Sequence, residues 1–197
     1  QLRALLRAGA GAEIGIMFPL VASVDDFIQA CELVASCKRE LQSEGVAFAS
    51  NLKLGAMVEL PSAVSVADEL ARRADFLCLG TNDLIQYLLG VDRTNMDVAE
   101  HYLSYHPAVL RALKQVAGSA ARAGKDVSIC GEMAGDPLLI PFLIGIGIRT
   151  FSLDAQHIIP AEKRIADVDA GEAESFAARL LACSTIRGIE QLVNPEE

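Results

Sequence analysis

The stretch LGAMVELPSAVSVADELARRADFLCLG, residues 54–80, decides the fold. Leu54 to Val58 is a short apolar run of the kind that forms a buried strand. Ser62 then opens a pattern of apolar residues at helical spacing that runs to Arg73, and Phe76 to Leu79 returns to a strand. Strand, helix and strand in so few residues predict a parallel βα unit, because parallel neighbours need a crossover to enter the sheet from the same end.

The same grammar extends outward. Ile14 to Val21 reads as a buried strand, and Ser23 with Asp25 and Asp26 as the start of a helix. Phe27, Cys31, Val34, Lys38 and Leu41 share one face of that helix, which Gly45 ends as a left-handed cap. Downstream of Phe76 to Leu79, a long connection leads to a helix over Pro107 to Ala123. Val127 to Ile129 is a further strand, followed through Asp136 and Pro137 by a helix that stops near Gly147. Thr150 to Leu153 is the last strand, with only helices after it, from about residue 160. No strand is followed by the GxGxxG turn of a dinucleotide site. Five strands in this rhythm predict an α/β protein, a (β/α)8 TIM barrel represented by about its last five βα units. A whole barrel takes about 250 residues, and this chain has 197. Residues 1–197 are expected to form a single domain with helices at its C-terminal end.

The bulk numbers narrow the function classes. A formal net charge of −9 argues against a nucleic-acid surface, which needs clustered Lys and Arg. The apolar stretch Leu138 to Ile148 is broken by Pro141, Gly145 and Gly147 and falls short of the roughly 20 residues of a bilayer crossing, so no membrane insertion is expected. Five cysteines without a CxxC pair suggest neither a disulfide framework nor a zinc site, and a reducing cytoplasm fits them. The chain opens at Gln1 inside a helical pattern, as a piece of a longer protein would.

Polar residues fall just beyond the strand ends, the rim on which parallel barrels build their active sites. Glu59 and Asp83 lie there one βα unit apart. Two hard oxygen donors with no His cluster suit Mg²⁺ or Mn²⁺; a helix cap at Glu59 and an Asx turn at Asn82-Asp83 are the structural alternatives. Arg93 lies in the long connection, where a functional excursion competes with a solvated arginine. Cys130 ends a strand and is either a small buried hydrophobe or a functional thiol. His101, His106 and His157 have no partner at ligand spacing. Cys31, Cys37, Cys78 and Cys183 read as packing.

The runs Met57 to Ala63, Gly80 to Tyr87, Val91 to Asn95 and Cys130 to Asp136, in this order, resemble the phosphoenolpyruvate-utilising enzymes. The resemblance extends from about Gln1 to Ile165 and is closest to the Enzyme I group of the phosphotransferase system. Pyruvate phosphate dikinase and phosphoenolpyruvate synthase share the barrel and are the nearby alternatives, and another Mg²⁺-dependent pyruvate or phosphoenolpyruvate barrel enzyme, such as an aldolase or lyase, is the more distant one. The resemblance implies that Glu59 and Asp83 bind Mg²⁺, that Asn82, Asp83 and Arg93 contact phosphoenolpyruvate, and that Cys130 protonates the enolate. It also implies an N-terminal phosphohistidine domain in a longer parent protein, a small phosphocarrier protein as partner, a homodimer, and earlier barrel strands carrying further arginines. A chain without those strands is expected to be inactive alone.

Overall fold

The computed structural model describes residues 1–194. Five strands lie side by side in chain order, all parallel: β1 (Ile14–Phe18), β2 (Leu52–Val58), β3 (Phe76–Gly80), β4 (Asp126–Cys130) and β5 (Thr150–Phe151). Helices fill every crossover. α1 (Leu2–Ala8) leads in, and α2 (Val24–Ser43) joins β1 to β2. α3 (Pro61–Ser65) and α4 (Ala67–Arg73) join β2 to β3, α5 (Thr81–Leu89) and α6 (Pro107–Ala123) join β3 to β4, and α7 (Ile140–Gly145) joins β4 to β5. α8 (Ala155–Ala166), α9 (Ala170–Ala182) and α10 (Ile186–Val193) close the described chain. Strand order that follows chain order is barrel order, whereas a doubly wound sheet reverses at a switch point. β1 and β5 do not pair with each other, so the sheet is an open arc of a barrel.

Alternation along the strands sorts the two faces. Ala56, Val58, Leu77, Leu79 and Ile129 are buried in the main core with Leu70 of α4, Leu110 and Leu113 of α6, Phe142 of α7 and Leu180 of α9. Met57, Cys78, Ser128 and Cys130 therefore belong to the opposite, inner face.

Local chemistry accounts for several boundaries. Ser23 caps α2 by accepting from the Asp26 N–H at 3.2 Å, while Asp26 accepts from the Ser23 N–H at 2.8 Å, a reciprocal capping box. β1 stops at Phe18 rather than running to Val21, because Pro19 follows and Leu20 takes a left-handed φ of 52°. The single helix expected over Ser62 to Arg73 is two, split at Val66, whose φ of −112° and ψ of 22° leave the helical region. The long connection expected after β3 holds a helix of its own, α5; Gly90, at φ 65°, caps its far end. β5 has only two residues, and the terminal helices begin at Ala155 instead of near residue 160. No helix among the described residues is long and apolar enough to cross a membrane.

Candidate active site

β2 and β3 are in register with Val58 opposite Leu79, so the residues that follow them emerge at one end of the sheet. Glu59 is the first residue past β2, and Asp83 is the third residue of α5. Asp83 lies close enough for its carboxylate to act on that of Glu59. Glu59 is only 4% exposed, and its Oε1 accepts the Leu20 N–H at 2.6 Å. Gly80 leaves room for it, since a Cβ there would lie 2.8 Å from Glu59 Oε2. Burial raises the pKa of Glu59, the Leu20 N–H opposes that shift, and the charge and hydrogen bond of Asp83 raise it further.

A buried carboxylate near a second one, with no ion pair to either among the described residues, is an arrangement that a divalent ion relieves. Among the described residues no group of three His, Cys, Asp or Glu forms a metal cage. Two carboxylates fit Mg²⁺ all the same, because that ion takes one or two from the protein and fills its remaining positions with water and substrate oxygens. The structural alternatives do not apply: the N-cap of α3 is Leu60, and Asn82 and Asp83 lie in the first turn of a helix rather than in an Asx turn.

Asn82 ties this corner to the end of β4. Its Oδ1 accepts the Glu132 N–H at 2.9 Å, its backbone carbonyl accepts from Tyr102 Oη at 3.2 Å, and Thr81 Oγ1 donates to the Cys130 carbonyl at 2.7 Å. Gly131 sits between them at φ 96°, where a Cβ would be 2.7 Å from Asn82 Oδ1. Beside this interlock opens a cleft of about 460 Å³ whose lining includes Asn82, Cys130, Glu132, Asp136, Asp154 and His157.

Cys130 is the last residue of β4 and half-buried; its Sγ donates to the Leu79 carbonyl at 3.5 Å. Cys78, read from sequence as packing alone, donates to Cys130 Sγ at 3.6 Å. The two thiols titrate together. Their contact is the first cause for both steps: it brings the first ionisation of the pair down to about 7 and pushes the second well above the thiol range, with burial opposing the charge on either sulfur.

Arg93 lies just beyond α5 at the same rim. Its Nη1 is 3.9 Å from Glu132 Oε1, a loose pair between exposed side chains, and its N–H donates to Gln86 Oε1 at 3.3 Å. Glu59, Asp83, Asn82, Cys130 and Arg93 thus share one end of the sheet. His106 caps α6 by accepting from the Ala108 N–H at 3.1 Å, a structural part, whereas His157 lines the cleft, a placement its sequence context did not signal. Nothing in the sequence around Tyr102 or Cys78 marks either as part of this corner.

The chain matches the family described as PEP-utilising enzyme, PEP-binding domain, over residues 1–170. It is 42% identical over 193 residues to the phosphoenolpyruvate-protein phosphotransferase of Bacillus subtilis, 40% identical over 193 residues to that of Mycoplasma capricolum, and 41% identical over 194 residues to that of Staphylococcus aureus. Each alignment covers 98% of this chain and 34% of the relative, so the chain spans about a third of the length of the curated relatives it matches. Among solved structures it is similar to a citrate lyase from Burkholderia xenovorans, with a TM-score of 0.63 at 21% identity over 92% of this chain and 57% of the other. An HpcH/HpaI aldolase from Desulfitobacterium hafniense gives a TM-score of 0.51 at 19% identity over 85% and 70%. These two likenesses bear on the fold alone.

Proposed function

We propose, from the premise that this chain belongs to the PEP-utilising enzyme family, whose PEP-binding domain it matches, that it is the phosphoenolpyruvate-binding part of a phosphoenolpyruvate-protein phosphotransferase. One observation carries the reading: Glu59 and Asp83 stand at the same strand ends as Asn82 and Cys130, as phosphoryl transfer from an enol phosphate requires. Such a transfer is mostly positioning and charge neutralisation, with little covalent work for the protein.

Glu59 and Asp83 would hold Mg²⁺, which supplies positive charge to the phosphoryl and carboxylate oxygens when bound. Asn82 has its Oδ1 engaged by Glu132, which leaves its amide Nδ2 to donate to a substrate oxygen. Arg93 can swing its exposed guanidinium from Glu132 onto the phosphate, where its planar fork makes charge-assisted hydrogen bonds. Loss of the phosphoryl group leaves an enolate, and Cys130, a neutral thiol at the strand end, gives its proton to C3 to form pyruvate. The acceptor is a histidine on an N-terminal domain of the longer protein, which passes the group to a small phosphocarrier protein; the barrel domain works in a homodimer in the cytoplasm.

The variants Glu59→Gln and Asp83→Asn, in the intact protein, test the metal pair. Each is expected to lower Mg²⁺-dependent phosphorylation of the protein by phosphoenolpyruvate by at least about a hundredfold, by removing one of two anionic ligands. Radiolabelled phosphohistidine formation against Mg²⁺ concentration measures it, and an unchanged Mg²⁺ dependence in both variants would rule the assignment out.

A further inference from the structure

On the inner face of the sheet, Cys78 of β3 stands opposite Ser128 of β4, and Cys130 of β4 stands opposite Gly80 of β3, so the two thiols are diagonal neighbours. Cys130 occupies the strand end, and Cys78 lies one layer deeper, 3% exposed, with its Sγ 3.6 Å from that of Cys130. The Cys130 sulfur thus has its own proton turned to the Leu79 carbonyl on one side and accepts the Cys78 S–H on another. The diagonal offset suits a hydrogen bond rather than a disulfide, which needs closely opposed Cβ atoms.

We propose that Cys78 is a positioning residue for Cys130: its buried S–H holds the Cys130 sulfur at the rim and stabilises the thiolate formed there when Cys130 gives up its proton. The inference rests on the proton-donor reading of Cys130. In the step, the Cys130 S–H bond breaks and its proton goes to C3 of the enolate. The C2–C3 π pair forms the new C–H bond as the C2 carbonyl closes. The S–H electron pair stays on Cys130, which accepts the Cys78 S–H until water returns a proton. Without that donor the new thiolate would stand half-buried against the Leu79 carbonyl, itself an acceptor, an arrangement that costs free energy. A hydrogen bond to an ionised sulfur is stronger than one to a neutral group, so the contact favours the state reached after proton transfer more than the resting one. The groups facing the pair are Glu59 and Asp83 toward the rim and the Ser128 hydroxyl beside Cys78.

The test pairs two measurements on Cys78→Ala, Cys78→Val and Cys78→Ser. One is exchange of pyruvate methyl hydrogens into D₂O by the intact protein with Mg²⁺, followed by NMR. The other is the pH dependence of Cys130 alkylation by iodoacetamide in this chain, followed by mass spectrometry. The Ala and Val variants are expected to exchange about tenfold more slowly at saturating pyruvate, with the half-saturating concentration unchanged, and to shift Cys130 alkylation upward by about one pH unit, the equivalent of tenfold. Ser keeps a hydroxyl donor and should recover most of both; Val keeps the volume, so a loss seen with Ala but not with Val is a packing effect and overturns the inference. A Ser variant as slow as Val overturns it too. Exchange that survives Cys130→Ala overturns the proton-donor reading instead, and is told apart because the shift of Cys130 alkylation in the Cys78 variants would persist.

Discussion

Glu59 has its carboxyl buried, its Oε1 on the Leu20 N–H at 2.6 Å and Asp83 across from it. Leu20 makes that N–H available by adopting φ 52°, a left-handed conformation that costs a leucine of order 1 kcal/mol, and such strain gathers at functional sites. Burial first, and Asp83 after it, raise the folded pKa of Glu59 above its ordinary value. The sign follows from linkage: a raised carboxyl contributes stability that is fully present below the unfolded pKa and is lost as pH rises through the folded value. Glu59→Gln, which keeps an acceptor for Leu20 without the charge, is therefore expected to raise Tm in chelator at pH 7 and to change it little near pH 4. Thermal scans at both pH values measure this, and an equal shift at both would count against a charge effect. On the proposed function, the residue whose replacement stabilises the fold in chelator is then the one whose replacement lowers turnover. Glu59, Asp83, Asn82 and Cys130 were legible in the sequence because polar residues just past apolar runs mark the rim of a parallel sheet. Cys78 was not, because an apolar strand shows no sign of which sulfur its neighbour will present.

Between residues and fold, the helices show where pattern reading stops. α5 was hidden because Asn82 and Asp83 look like a turn, yet an acidic residue in the first turn suits the positive end of a helix. The break at Val66 leaves the Val64 carbonyl to be satisfied from outside, and Gln115 of α6 donates to it at 2.8 Å, a partner 51 residues away. α7 and α9 are held together through Gly145, where a Cβ would run into the backbone carbonyl of Ala173 and lie 2.9 Å from the Ala177 Cβ. Because backbone cannot step aside as a side chain can, Gly145→Ala is expected to destabilise the chain by about 1–3 kcal/mol. Urea denaturation followed by circular dichroism checks it: the midpoint should fall with the slope unchanged, and an unaltered midpoint would mean that the two helices separate freely. In the sequence Gly145 shows only as an interruption of an apolar run, since the helix it faces lies almost 30 residues further along the chain.

Across the molecule, the arc of five parallel strands ends at β1 and β5, and neither edge pairs with another strand among the described residues. Unpaired edges recruit partners, so this chain alone is expected to self-associate. Light scattering should give a mass above 21.0 kDa that rises with concentration, and a monomer at every concentration would contradict the expectation. The sequence by itself determined the alternation of strands and helices, the parallel sheet and the carboxylates at its rim, because hydrophobic period and strand-end polarity are local properties of the chain. Tertiary structure alone decided that Cys78 lies beneath Cys130, that Tyr102 reaches the Asn82 carbonyl and that Leu20 turns its N–H to Glu59. Those contacts depend on strand register and on loops closing over the sheet end, which packing of the whole chain sets and no short window of residues contains.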